Sequence, residues 1–144
     1  MKIRILLCSL AAALLVGTSY GAEDTPLQMK MQKMNSAFRK LRTQVTDASK
    51  NDDSVAQAEI IKENATDALK LTPMKAEDTP EADRAKFMAD YQAEMKQLIA
   101  AVDKLEVALK AGNNEEAQKI FAEIGGIQKD GHKEFKKAPQ RKQQ

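Results

Sequence analysis

The segment from Asn114 to Lys137, NEEAQKIFAEIGGIQKDGHKEFKK, decides how the rest of the chain is read. Its apolar residues Ile120, Phe121, Ile124, Ile127 and Phe135 recur at helical spacing and turn one face towards a core. The same run holds the only histidine of the chain, His132, and glycines at Gly125, Gly126 and Gly131. A glycine inside a helix costs about 1 kcal/mol relative to alanine, so three of them close together need a physical reason. Gly131 falls near the middle of the apolar face and His132 on its flank. Volume is thus removed where a core should be full, with an imidazole beside the gap. A close-packed interior admits a gap only when something fills it. The competing reading is a fraying C-terminal turn with His132 in solvent.

Working back from this segment, Asn114 is expected to cap the last helix, with Glu115 and Glu116 well placed in its first turn. Gly112 suits a left-handed cap at the end of a third helix. That helix opens with Thr79 as N-cap and Pro80 at its first position, and carries Phe87, Tyr91, Met95, Leu98, Val102, Leu105 and Leu109 inward. The stretch TPMKAEDTP before it contains Pro73 and Pro80 and marks the longest loop. A second helix, capped by Asp53 or Ser54 within SKNDDS, runs to about Leu71 with Val55, Ile61, Ala65 and Leu69 facing inward.

The first helix begins with Thr25 as cap and Pro26 at its first position and reaches about Asp47. Its stripe of Leu27, Met31, Met34, Phe38, Leu41 and Val45 is spaced by 4, 3, 4, 3 and 4 residues, a bundle-facing seam from which Met29 falls away. Four amphipathic helices joined by short connections predict an all-α fold, an antiparallel up-and-down four-helix bundle. In that topology the first and last helices are antiparallel neighbours. Met31 lies five residues after Pro26 and His132 five before Lys137, which sets the two at the same height near one end. A thioether and an imidazole facing each other across two helices are the axial pair of a haem iron in electron-transfer cytochromes. The plainer reading of the methionine stripe is core filler.

Residues 1–21, MKIRILLCSLAAALLVGTSYG, combine a basic start at Lys2 and Arg4, an apolar run from Ile5 to Val16 and small residues at Ser19 and Gly21. This is the layout of a secretory signal peptide, and the run is too short for a spanning helix. The sole cysteine, Cys8, leaves with it, and Leu7 before that cysteine argues against a lipid anchor. The mature chain, residues 22–144, is read as one domain. Without Lys2 and Arg4 its 21 basic residues balance 21 acidic ones, so nucleic acid is not expected as a partner. With no cysteine left, a packed core or a cofactor has to supply the stability. Neither a nucleophile with its base, nor a second histidine for zinc, nor a phosphate loop is present, and an enzyme is not expected.

Several segments together resemble the cytochrome b562 family of small periplasmic four-helix haem proteins. They are Glu116-Ala117-Gln118 with thirteen residues before His132, the loop TPMKAED at 72–78, Phe87 with Tyr91 four residues on, and MQKMNSAFRKL at 31–41. The resemblance covers essentially the whole mature chain. It implies one non-covalent b-type haem per chain, with Met31 and His132 as metal ligands and Met34, Phe87, Tyr91 and Phe135 lining the pocket. Gln128 to Gly131 precede the histidine where C-x-x-C would attach a c-type haem, so no thioether link is possible. It further implies a periplasmic monomer that meets redox partners transiently. With a haem in place, Lys133, Lys136 and Lys137 would be available to steer an acidic partner or pair with propionates; the plainer reading is a solvated helix end that complements the dipole. Two other classes stay open. Met29, Met31 and Met34 form an M-x-M-x-x-M pattern suited to Cu(I), with His132 as a further ligand. A helical bundle with no cofactor is the third.

Overall fold

A computed structural model of the chain describes residues 24–137; the expected signal peptide and the last basic residues lie outside them. Four helices make up the fold: α1 (Pro26–Gln44), α2 (Asn51–Ala68), α3 (Glu81–Lys110) and α4 (Asn114–Phe135). Short 3₁₀ turns, Ala48–Lys50 and Met74–Asp78, interrupt the first two connections. The chain runs up, down, up and down, the all-α bundle expected from the heptad-like stripes. None of these helices is long and apolar enough to cross a membrane.

Helix α1 starts as its sequence demands. Thr25 is extended, its hydroxyl accepts from the Gln28 amide at 3.2 Å, and the Gln28 side chain accepts from the Thr25 amide at 2.6 Å. This capping box and Pro26 fix the first turn. The helix stops at Gln44, short of the expected Asp47, because the Asp47 carboxylate accepts from both the amide (2.9 Å) and the hydroxyl (2.7 Å) of Ser49. Those bonds hold its carboxyl below the ordinary value and draw the backbone into a turn.

Helix α2 begins at Asn51, before the expected caps Asp53 and Ser54. Asp52 and Asp53 instead complement the dipole from within the first turn, and Ser54 is buried. Of the four residues expected inward, Ile61 and Ala65 are buried, while Val55 and Leu69 are only partly covered. The rest of the buried face is either small, with Ser54, Ala58 and Ala68, or polar, with Gln57 and Asn64. This mixture blurs the apolar period. At the start of α3, Pro80 is the N-cap and no side chain caps the helix; the Thr79 hydroxyl donates to the Lys75 carbonyl at 3.2 Å, so the expected Thr79 cap is not formed. At its end Gly112 adopts φ +69°, Asn113 donates to Ala108 at 2.9 Å, and the helix closes in the expected left-handed cap.

The next pair of asparagines departs from expectation. Asn113, not Asn114, caps α4, its side chain accepting from the Glu116 amide at 3.2 Å. Asn114 is thereby released to reach across the bundle. Its amide donates to the Val45 carbonyl (2.9 Å) and to Asn51 Oδ1 (2.8 Å), and Asn51 returns bonds to Asn114 Oδ1 (3.2 Å) and to the Leu109 carbonyl (3.1 Å). One reciprocal amide pair thus satisfies end carbonyls of α1 and α3 and ties all four helices at that end.

The core runs the length of the bundle through Leu41, Val102, Leu105, Leu109 and Ile124, all 1% exposed or less. Helix α1 packs on α2, α2 on α3 and α3 on α4, whereas the backbones of α1 and α4 stand further apart. What joins them is an aromatic stack, Phe38 on Phe121 with centroids 4.5 Å apart and planes at 21°. Replacing Asn114 by alanine strands two partly buried acceptors and one amide, at a cost of about 1–3 kcal/mol. Urea unfolding followed by circular dichroism should show a lower midpoint with an unchanged slope.

Candidate functional site

Below the Phe38–Phe121 stack, where α1 begins and α4 ends, the separation of these two helices opens into a cavity of about 400 Å³. That is the size of a site for a drug-sized molecule or cofactor. Leu27, Met31, Met34 and Phe38 wall it from α1; Tyr91, Met95 and Leu98 from α3; Ile124, Ile127, His132 and Phe135 from α4. Ile61 of α2 and Pro73 and Met74 of the long connection also border it. The lining is mainly apolar, with Gln28, Gln32, Asn35 and Gln128 among the polar residues that border it.

The residues singled out from sequence mostly meet here. Met31 is half-buried and Met34 buried, both on the wall. His132 borders the cavity while much of its surface stays exposed. Loss of water pushes its imidazole below the ordinary histidine value, and the Lys136 ammonium adds to the effect. At neutral pH the ring is therefore neutral, with a nitrogen lone pair free to bind a metal. Tyr91 is 2% exposed and donates its hydroxyl to the Ala68 carbonyl at 2.9 Å, which locks the ring against the cavity; burial pushes the phenol up to about 12. Phe135 meets Tyr91 edge to face at 5.5 Å.

Phe87 stands apart from the other expected lining residues: it packs edge-on against Phe135, centroids 5.3 Å apart, and is not among the residues at the cavity wall. It sits one turn before Tyr91, where the bundle tapers to its end. Of the three glycines, Gly131 does border the cavity beside His132, while Gly125 and Gly126 do not. A Cβ at Gly125 would lie 3.7 Å from Phe38 and one at Gly131 3.5 Å from the Glu94 side chain, both ordinary contacts, and Gly126 faces open space. The wide spacing of α1 and α4 and the bare Gly131 backbone on the wall both leave room beside His132.

Other contributors gave no sequence signal of their own. The connection between α2 and α3 is clasped to the end of α4: Lys75 donates to the Glu134 carbonyl, and Lys137 pairs with Asp78 at 3.0 Å. Lys137, read from sequence as part of a solvated helix end or as a group to steer a partner, is engaged within the chain. The clasp holds Pro73 and Met74 beneath the cavity. Met95 was visible only as one member of a helical stripe.

Because Gly126 faces open space, alanine there should stabilise the bundle by about 0.5–1 kcal/mol through helix propensity alone, read as a higher urea midpoint. A lower midpoint would mean that the glycine carries a packing role.

Among the described residues no group of three or more His, Cys, Asp or Glu is placed to hold a metal ion. The donors at the cavity are instead one imidazole and thioethers, a set that fits a haem iron better than a hydrated divalent cation. A search of curated proteins finds no match. The Cytochrome b562 family model matches residues 26–136, which take in all four helices and both walls of the cavity. The chain belongs to the cytochrome b562 family, whose members are haem-binding electron-transfer proteins rather than enzymes.

Proposed function

We propose that this chain is a periplasmic electron carrier that holds one b-type haem, without covalent attachment, between Met31 and His132. The observation that carries the reading is that a methionine of the first helix and the only histidine, on the last, border one mainly apolar cavity. Export rests on the basic and apolar pattern of residues 1–21. Non-covalent attachment rests on Gln128 to Gly131, which offer no cysteine.

When bound, the haem supplies a one-electron couple at its iron. Met31 and His132 would both hold the iron, a donor pair that would favour electron transfer over oxygen or peroxide chemistry. The thioether of Met31 would favour the reduced state and raise the potential relative to two nitrogen donors. Met34, Tyr91 and Phe135 keep water from the site, with Phe87 bracing Phe135. His132 has to be neutral to ligate, and burial already biases it that way.

The test is to add haem to the purified mature chain and record the absorption spectrum before and after dithionite. A sharp low-spin α-band in the reduced state is expected, lost in Met31→Ala and in His132→Ala and kept in Met29→Ala, whose parent side chain is 48% exposed. Protonation competes with ligation. The histidine value lies below 6.5, so the spectrum should hold at neutral pH and decay only as the solution is acidified beneath that value. A broad free-haem spectrum, over an apoprotein already helical and cooperative, would overturn the reading.

A further inference from the structure

The carboxylates of the described chain are unevenly placed. Helix α1 carries Lys30, Lys33, Arg39, Lys40 and Arg42 and no acidic residue. Helix α2 carries the reverse, with Lys62 its sole basic residue. The lip of α1 towards α4 is the stripe Gln28, Gln32, Asn35, Arg39 and Arg42, spaced by 4, 3, 4 and 3 residues. Its lower members border the cavity, and at its upper end the Arg42 guanidinium lies 5.4 Å from the Phe38 ring centroid.

The facing lip of α4 is Gln118, Ala122, Gly125, Lys129, His132 and Lys136, spaced by 4, 3, 4, 3 and 4 residues. Gly125 lies against Phe38, and His132 and Lys136 border the cavity, which fixes this stripe towards α1. All the acids of α4, Glu115, Glu116, Glu123, Asp130 and Glu134, fall off it.

Neither lip contains a carboxylate. Arg39, Arg42, Lys129 and Lys136 make no ion pair among the described residues, although six other lysines do. The nearest acids at the cavity border are Asp24, which accepts from Gln32 at 2.7 Å, and Glu94 on α3 beside Gly131. In a chain whose mature charges balance, this face is a local excess of unpaired cations over the one opening between α1 and α4. Midway along it, Ala122 and Gly125 project almost no side chain, so a flat partner can approach closely there.

We infer that the face formed by the two lips is where the redox partner docks, and that the partner presents a carboxylate-rich surface. The inference rests on the haem reading above, since it makes this face the short route to the cofactor. Guanidinium and ammonium groups at its rim steer a negatively charged partner and fix its orientation, while adding little to a brief contact.

The test uses the haem-loaded chain, reduced, in stopped-flow oxidation at low and high salt. The probes are the ferricyanide anion and the tris(phenanthroline)cobalt(III) cation. Each accepts one electron from ferrous haem, leaving ferric haem with ferrocyanide or with the cobalt(II) complex. The variant Arg39→Glu/Lys129→Glu changes no cavity-lining residue; Lys96→Glu/Lys104→Glu on α3 makes the same change in net charge elsewhere. Oxidation by ferricyanide should be about tenfold slower at low salt in the lip variant than in the parent, with the difference shrinking at high salt. Oxidation by the cobalt cation should become faster. Poly-L-glutamate should slow the parent and spare the lip variant.

A change in haem potential would move both probes in a way set by driving force, whereas steering moves them in opposite directions. Equal effects of the lip and α3 variants, or no effect of either with the low-spin spectrum intact, would overturn the docking face and leave the haem reading standing. Failure to take up haem is visible in the spectrum before any kinetics and would overturn both.

Discussion

The structure depends on a bundle that is closed at one end and held open at the other. Three of the four neighbouring helix pairs pack closely, and the fourth, α1 with α4, does not. The Asn51–Asn114 pair draws all four helices together at the closed end. Phe38 and Phe121, stacked at 4.5 Å, act as the prop below which the helices diverge. An apolar cavity of about 400 Å³ forgoes the dispersion contacts that a filled core would make. A ligand that binds only the folded chain and fills that space therefore adds directly to its stability. Site and fold are coupled through this one gap.

The open end is not left loose. Tyr91 is anchored through its hydroxyl to the last turn of α2, Phe135 lies against it, and Phe87 backs Phe135. The clasp of Lys75 and Lys137 keeps the long connection beneath the cavity. A wall fixed in this way presents donors without a large rearrangement on binding, which lowers the ordering cost a ligand has to meet. Charge is sorted as well: α2, α3 and α4 all carry carboxylates, while α1 has none.

The fold was legible because it rests on periodic signals. The stripe of α1, the stripe of α3, the proline at the start of α1 and Gly112 at the end of α3 each depend on one local rule, and each holds. The errors arose where two local rules competed. Asn113 and Asn114 are equally good caps by type, and only the tertiary demand of the Val45 carbonyl and Asn51 separates them. Thr79 bonds backwards to Lys75 and so does not cap. The α2 pattern was weak because its buried face is mostly alanine with Ser54, Gln57 and Asn64, whose burial leaves little hydropathic trace. At the site, Met31, Met34, Tyr91, His132 and Phe135 were readable from spacing and resemblance, and the structure gathers them around one cavity. Phe87 packs against Phe135 and not on the cavity wall, because an i, i+4 pair shares a face without sharing a depth. Of the glycines, Gly131 borders the cavity as its place on the apolar face suggested, while Gly125 and Gly126 do not.

The measurement that bears most directly on this account is the anomalous-difference density of iron in crystals of the haem-loaded chain. The account requires a single iron peak within bonding reach of the Met31 sulfur and an imidazole nitrogen of His132, inside the cavity between α1 and α4. Iron bound to Met29 or Met74 instead, or lodged on the surface with the cavity collapsed by closure of α1 onto α4, would contradict it.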